Sequence, residues 1–128
     1  MQSPKLQLYN KVFEMIEGYD QLVVDFKDMT DDLPYPFFVL SDVQERKILD
    51  TFNSFTGELT MQIHLWSLAD DKGKHDELET QLNHDLSFLG ALDDYQLILD
   101  DISTNTLIDN TTNQLLLHTV MNVEYKVY

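Results

Sequence analysis

Two long segments of this 128-residue chain alternate apolar and polar residues with a period of two. In the segment 59–66 every odd-numbered residue is apolar, and polar residues and a tryptophan stand between them. In the segment 114–128 the odd-numbered residues are again mostly apolar, whereas the even-numbered ones mix apolar, polar and charged side chains. Alternation of this kind is typical of a β-strand with one face in a core. We therefore predict a sheet whose second face, at 114–128, is amphipathic enough for a neighbouring subunit to cover part of it.

Two other segments repeat apolar residues at the spacing of a helix. The first begins at Ser3-Pro4, because serine is a favourable N-cap and proline suits the first helical position. Gly18 is placed to end this helix. The second helix is predicted over 74–89, with Gly90 just beyond its last apolar residue. Its apolar stripe consists of Leu78, Leu82, Leu86 and Leu89.

The remaining segments predict shorter strands and one long hairpin. Strands are expected at 21–26 and 37–41, separated by a polar loop that contains two prolines. The segment 42–53 is either the start of a further strand or a short polar excursion. The segment 95–108 and the strand after it are predicted to form a hairpin around the turn formers of 109–113.

These elements follow one another in the order α-β-β-β-α-β-β. We therefore expect an α+β fold, with a mainly antiparallel sheet of four or five strands and two helices on one of its faces. A chain of this length is expected to hold one domain, here residues 1–128.

Charge and composition narrow the range of functions. The 23 acidic residues outnumber the 8 basic ones, so the formal net charge is −15, and there is no cysteine. The missing thiols exclude disulfide frameworks, iron–sulfur sites and thiol nucleophiles. The negative charge argues against binding to nucleic acid or to an anionic membrane, and no apolar run is long enough to span a bilayer. A solvated surface, a basic protein partner, and a surface that imitates DNA or lets it pass remain possible uses of the acidity.

Candidate catalytic and metal-ligating residues are few. The best metal-ligating set is His75 with Asp76 and Glu79, because residues four apart share a helix face, but we expect these side chains to be solvated on the outer face of the second helix. Adjacent acids fall in expected turns or strand ends, where a solvated role is typical. The four glycines do not cluster, so neither a nucleophile elbow nor a phosphate-binding loop is present. We therefore expect no metal, no cofactor and no enzymatic activity.

A pair of motifs in the middle of the chain is more specific. Tyr35-Pro36 opens a short apolar strand, and Trp66-Ser67 closes the alternating strand. A polar turn that contains Gly73 follows, and then the second helix. This arrangement resembles the tail-terminator or tail-completion proteins of long-tailed, siphophage-type bacteriophages, whose members tend to share these features. The motif-like residues fall within 35–86, whereas the order of elements is similar over most of the chain.

The resemblance implies a structural role in virion assembly. Such proteins form a ring, typically of six subunits, that caps the growing tail tube, stops its polymerisation and joins the tail to the head connector. The implied partners are other copies of this chain, the tail tube protein and the connector protein, with no cofactor and no membrane. The implied location is the head-proximal end of the virion tail, after assembly in the bacterial cytoplasm. The implied scaffold residues are Tyr35, Pro36, Trp66 and Ser67.

DNA passes through the hole of such a ring, and the negative charge of the chain suits the wall of that channel. Six copies would carry a formal charge of about −90, and a negative channel wall would repel phosphates without binding them. Four acids flank the start of the terminal hairpin and are our candidates for the channel wall: Asp93, Asp94, Asp100 and Asp101. The alternative function is an acidic inhibitor or DNA mimic that binds a basic nucleic-acid-handling protein. That alternative is disfavoured because the acids fall mostly in turns and not at regular intervals.

Overall fold

The computed structural model describes residues 1–47 and 57–128, in which two α-helices pack on a six-stranded sheet. Neither described helix is both long enough and apolar enough to cross a bilayer. Short 3₁₀ turns follow the first strand and precede the second helix. In chain order the elements are α1 (Pro4–Glu17), β1 (Leu22–Asp25), β2 (Phe37–Leu40), β3 (Gln44–Lys47), β4 (Gly57–Leu68), α2 (Lys72–Ser87), β5 (Leu97–Asp109) and β6 (Leu116–Val127).

The sheet is mixed but mostly antiparallel. Its strands lie in the order β1-β2-β4-β6-β5, and β3 pairs with β4 beside this path. Only β1 and β2 run parallel among the described pairs. The predicted fold class is confirmed, and the strand it left open is β3, which occupies part of 42–53. Residues 48–53 of that segment lie outside the described residues.

The first helix begins and ends where the sequence predicts. The backbone N–H of Leu6 donates to the Ser3 hydroxyl at 3.2 Å, and Pro4 is the first helical residue. Gly18 is the C-cap, but its φ of −64° is right-handed. The left-handed residue of this turn is Asp20, with a φ of 60°. Glycine therefore ends the helix here without using its freedom to adopt positive φ.

The core lies between the helices and one face of the sheet. The odd-numbered residues of β4 and β6 point to this side, as their alternation predicts. The Tyr125 hydroxyl donates to the carbonyl of Leu86 at 2.6 Å, so the largest buried side chain also fixes the end of α2. The apolar helical residues buried against the sheet are Leu8, Val12 and Ile16 of α1 and Leu78, Leu82 and Leu86 of α2.

A β-bulge interrupts the pairing of β5 with β6. The register shifts between Leu99 and Asp101, so that Asp100 is the extra residue. A one-residue insertion reverses which side chains face the core. Leu99 therefore points to the helices before the bulge, and the even-numbered Ile102 does so after it.

The bulge and the strand ends also determine which backbone groups of β5 are paired. Gln96 and Tyr128 exchange both N–H···O=C bonds. Starting from this pair, hydrogen-bonded and non-hydrogen-bonded residue pairs alternate along the hairpin. After the bulge, the backbone groups of the even-numbered residues 102–108 point away from β6. In the described part of the chain no strand pairs with that side of β5.

Candidate functional site

The face of the sheet opposite the two helices, which we call the outer face, carries Trp66 and several polar side chains of β4 and β6. The even-numbered residues of β4 and β6 form it, because successive side chains of a strand point to opposite faces. Phe37 and Val39 of β2 extend it, since Phe37 lies opposite Trp66 and Val39 opposite His64. The outer face thus combines aromatic, imidazole and, farther along, carboxylate groups.

The two halves of the predicted motif meet on this face. Pairing of β2 with β4 places Phe37 beside Trp66, and the ring of Tyr35 lies 5.4 Å from that of Phe37. The Tyr35-Pro36 peptide bond is cis. The indole of Trp66 stacks on the imidazole of His118, which the sequence motif did not include. Both rings are half-buried. Their contact arises from the pairing of two strands, which the pattern of a single strand does not reveal.

Ser67, the other half of the Trp-Ser pair, points to the helices. Its hydroxyl lies 2.6 Å from Nδ1 of His75, and Nε2 of His75 lies 2.6 Å from the Thr119 hydroxyl. Thr119 in turn contacts the Thr106 hydroxyl at 2.7 Å. Ser67 therefore anchors α2 to β4 and β6 through a buried polar chain.

The prediction that His75 is a solvated residue of the outer helix face is wrong. Its side chain is only 3% exposed, and burial lowers its pKa. Both ring nitrogens contact hydroxyl groups, so neither faces Asp76 or Glu79. The overlooked signal is its spacing, because His75 lies three residues before Leu78 and so on the apolar stripe of α2.

A hydrogen-bonded chain of four side chains crosses the outer face. Nδ1 of His64 lies 2.8 Å from Nε2 of His118, and Nε2 of His64 lies 3.0 Å from Oε1 of Gln62. Nε2 of Gln62 donates to Oδ1 of Asn122 at 3.1 Å. Burial lowers the pKa of both histidines, so both are neutral at pH 7. The sequence pattern does not pair these histidines, because their contact depends on the register of β4 with β6.

Three carboxylates gather at another position along the same strands. Oxygens of Glu58, Asp100 and Glu124 lie within 4.8 Å of one another. Arg46 pairs with Glu58 at 3.2 Å and Lys126 with Asp100 at 3.7 Å, which offsets part of the repulsion. Desolvation and the neighbouring carboxylates raise the pKa of Glu124.

The four acids predicted to line a channel occupy two different places. Asp100 lies at the bulge among those carboxylates, and Asp101 lies opposite Glu124. Asp93 and Asp94 lie instead in the turn after α2, where Oδ2 of Asp94 accepts from Nε2 of Gln7 at 2.8 Å. The backbone N–H of Asp94 donates to Oε1 of Gln7 at 3.1 Å, which ties this turn to α1. Their role in a channel stays a prediction.

Exposed apolar side chains mark the far end of the β5–β6 hairpin. Ile108 is 67% exposed and Leu115 52%, and Leu107 is also exposed. Leu107 and Ile108 are neighbours on one strand, so their side chains point to opposite faces. Two adjacent apolar residues directly after the polar run 103–106 were the sequence signal for these exposed side chains.

Comparison with solved structures finds proteins that share the fold of this chain. No family model matches the sequence, and no curated protein matches it. The solved structure of the bacteriophage SPP1 gp17 protein matches with a TM-score of 0.63 and 20% sequence identity, over 97% of this chain and 91% of that chain. A second solved structure matches with a TM-score of 0.56 and 12% identity, over 98% of this chain and 97% of the other. At these identities the likeness establishes a shared fold.

Proposed function

We propose that this protein is a structural component of a bacteriophage tail that caps the tail tube as a ring and joins it to the head connector. The observation that carries the proposal is the fold shared with the bacteriophage SPP1 gp17 protein over nearly the whole of both chains. The Tyr-Pro and Trp-Ser motifs point to the same class of protein independently. In this proposal the protein acts through its surfaces and not through catalysis.

The proposed subunit contact uses the free side of β5 and the apolar end of the hairpin. The backbone groups of residues 102–108 that point away from β6 are of the kind that pair with another chain. This stretch lacks the lysine, proline or bulge that commonly protects an edge strand. Exposed Ile108 and Leu115 adjoin it and supply apolar area that a neighbouring subunit would cover.

The charge of the chain fits a channel wall and makes assembly dependent on salt. At −15 per subunit, six copies repel one another strongly at low ionic strength. Exposed charges are screened over about 8–10 Å at physiological salt. Ring formation should therefore increase with salt concentration, whereas the closed ring would still present acids to passing DNA.

The first test is the solution mass, measured by light scattering after size exclusion at low and at high salt. A species of about 90 kDa, six times the subunit mass of 15.0 kDa, that grows with salt supports the ring. Addition of the protein to polymerising tail tube protein tests the capping role, since tubes should stop growing and retain the protein at one end.

The alternative, an acidic inhibitor or DNA mimic, predicts different results in the same experiments. It predicts a monomer or dimer at both salt concentrations, no effect on tube length, and salt-sensitive capture of a basic nucleic-acid-handling protein. Tubes that elongate normally in the presence of excess protein would contradict the proposed capping role.

A further inference from the structure

Two imidazole rings on the outer face share a geometry that no part of the proposed function uses. Nδ1 of His64 and Nε2 of His118 lie 2.8 Å apart, the ring centroids 5.1 Å apart, and the planes differ by 21°. The rings therefore meet edge to edge, with one nitrogen of each directed at the other. The two strands that carry them are paired along their full length, so the nitrogens are held close by the backbone.

The amide of Gln62 fixes which proton each ring carries. Oε1 of Gln62 only accepts hydrogen bonds, so Nε2 of His64 carries the proton of that bond. Nδ1 of His64 then has a free lone pair, which accepts the N–H of His118 Nε2. The bond from Gln62 Nε2 to Oδ1 of Asn122 holds the amide in this orientation.

This arrangement is the one that orients histidine ligands in metal sites. A metal-binding histidine commonly donates its second ring N–H to a carbonyl or carboxylate oxygen, which aims the other nitrogen at the metal. His64 already does so through Gln62, and the stack with Trp66 holds the ring of His118. Two nitrogens bound to one tetrahedral ion at about 2.0–2.1 Å lie about 3.3 Å apart, so the nitrogens must separate by about 0.5 Å. Both rings must also turn, because their nitrogens now point at each other and not at a common ion.

The surroundings of His64 favour a cation and leave space for its water ligands. A cleft of about 570 Å³ opens beside the ring and is lined also by Asp25 and Asp42. Their carboxylates make the approach negative, while Lys27 on the same cleft pairs with Asp25 and Asp28. A neutral imidazole binds a metal through its unprotonated nitrogen. His118 can offer Nε2 without losing a proton to solvent, because the proton of Nε2 can be carried on Nδ1 instead.

We propose that Nδ1 of His64 and Nε2 of His118 form a two-histidine site for a borderline divalent transition metal such as Zn²⁺, Cu²⁺ or Ni²⁺, with water completing the coordination. Imidazole prefers these ions, whereas Mg²⁺ and Ca²⁺ prefer oxygen ligands. The site would join β4 to β6 on the outer face and stabilise the folded protein in proportion to its occupancy.

Trp66 provides the readout, because the chain has one tryptophan and it stacks on the ring of His118. Titration of the full chain with Cu²⁺ should quench its fluorescence to saturation at one equivalent. A large excess of Zn²⁺ should reverse the quenching by competition, because such sites bind Cu²⁺ more tightly than Zn²⁺, whereas excess Mg²⁺ should not. Occupancy of the site by Zn²⁺ should also raise the melting temperature of the protein.

Three matched variants decide the assignment. His64→Asn and His118→Asn should weaken the saturable quenching by at least about tenfold, whereas His84→Asn, at an exposed histidine of α2, should leave it unchanged. His64→Asn retains the Trp66–His118 stack and is decisive if His118→Asn does not fold. Quenching that never saturates, that is equal in all variants, or that Mg²⁺ reverses would overturn the proposal, since it would then arise from the acidic surface.

Discussion

The indole of Trp66 lies flat against the imidazole of His118, with ring centroids 3.7 Å apart and 9° between the planes. Trp66 lies two residues before the end of β4, and His118 lies directly opposite it on β6. Because this tryptophan is the only one in the chain, its fluorescence reports on the state of one histidine.

Acid should quench the fluorescence of Trp66 through that stack. A protonated imidazole quenches indole emission more strongly than a neutral one. Burial and the nearby His64 lower the pKa of His118 below its ordinary 6.5, against an opposing effect of Asp109. We therefore expect a fluorescence step with a midpoint below pH 6.5. His118→Gln should abolish the step and His84→Gln should retain it, whereas a flat wild-type profile from pH 7.5 to 4.5 would contradict the prediction.

His75→Ala should destabilise the fold at neutral pH. The change removes a buried ring and leaves the hydroxyls of Ser67 and Thr119 without their partner. We expect the free energy of unfolding in urea to fall by about 2–4 kcal/mol. His84→Ala, at an exposed position of the same helix, should change it by less than about 0.5 kcal/mol.

The same histidine should make stability depend on pH in a defined direction. Burial lowers the pKa of His75 in the folded state, so below its ordinary value of 6.5 the unfolded chain binds a proton that the folded chain does not. Its contribution is therefore complete above pH 6.5 and is lost as the pH falls through the folded-state pKa. The pKa values of Glu79 and Glu124 are raised in the folded state, so their contribution to stability has the opposite sign. It lowers the stability as the pH rises above about 4.5.

The pH dependence assigned to His75 is measured as a difference. Urea unfolding of the wild type and of His75→Ala at pH 7.5 and 5.5 cancels the contributions that both proteins share. The difference between their free energies of unfolding should be smaller at pH 5.5 than at pH 7.5. A gap that widens on acidification would show that the buried ring takes up its proton more readily in the folded state.

Proline scanning of β5 should separate its free side from its paired side. The backbone N–H of Thr104 points away from β6, so Thr104→Pro removes no bond of the hairpin and should change stability by less than about 1 kcal/mol. The N–H of Asn105 pairs with β6, and Asn105→Pro should cost about 1–3 kcal/mol. If β5 is the subunit contact, Thr104→Pro should also abolish the high-mass species. Equal melting temperatures for the two variants would contradict the assigned alternation.

Two glycines should respond in opposite ways to alanine. A Cβ on Gly57 would lie 2.9 Å from the carbonyl oxygen of Arg46, a backbone atom of β3 that must shift to accept it. Gly57→Ala should therefore destabilise the protein by about 1–3 kcal/mol. A Cβ on Gly90 meets nothing within 4 Å, and Gly90→Ala should be neutral or stabilising by up to about 1 kcal/mol. Thermal melts of both variants compare them directly.

The sequence predicted those elements whose pattern repeats along one strand or helix. The N-cap of Ser3, the alternation of β4 and the leucine stripe of α2 depend on local periodicity, and all three are present. The second helix ends at Ser87, however, so Leu89 of the predicted stripe lies beyond it. The strand β5 was harder to place, because the extra residue Asp100 breaks its alternation and transfers the core side from odd to even positions. The predicted 95–108 corresponds to the observed Leu97–Asp109.

The candidate site depended on pairing between strands, which a single sequence does not reveal. Trp66 was singled out, but its partner His118 lies 52 positions away and became its neighbour only through the register of β4 with β6. His75 was assigned to solvent because a histidine next to acidic residues resembles a surface group. Its hydroxyl partners Ser67 and Thr119 come from two other strands, so its burial was not visible along the helix.

The long ladder between β4 and β6 has a mechanical consequence. Twelve consecutive residue pairs run from Gly57 opposite Val127 to Leu68 opposite Leu116, and their hydrogen bonds lie across the strand direction. A force applied along these strands loads the whole ladder in shear, so that many bonds must fail together. A force applied across them would peel the pairs apart one at a time. The sheet is therefore stiffest along the direction that connects the histidine pair to the carboxylate cluster.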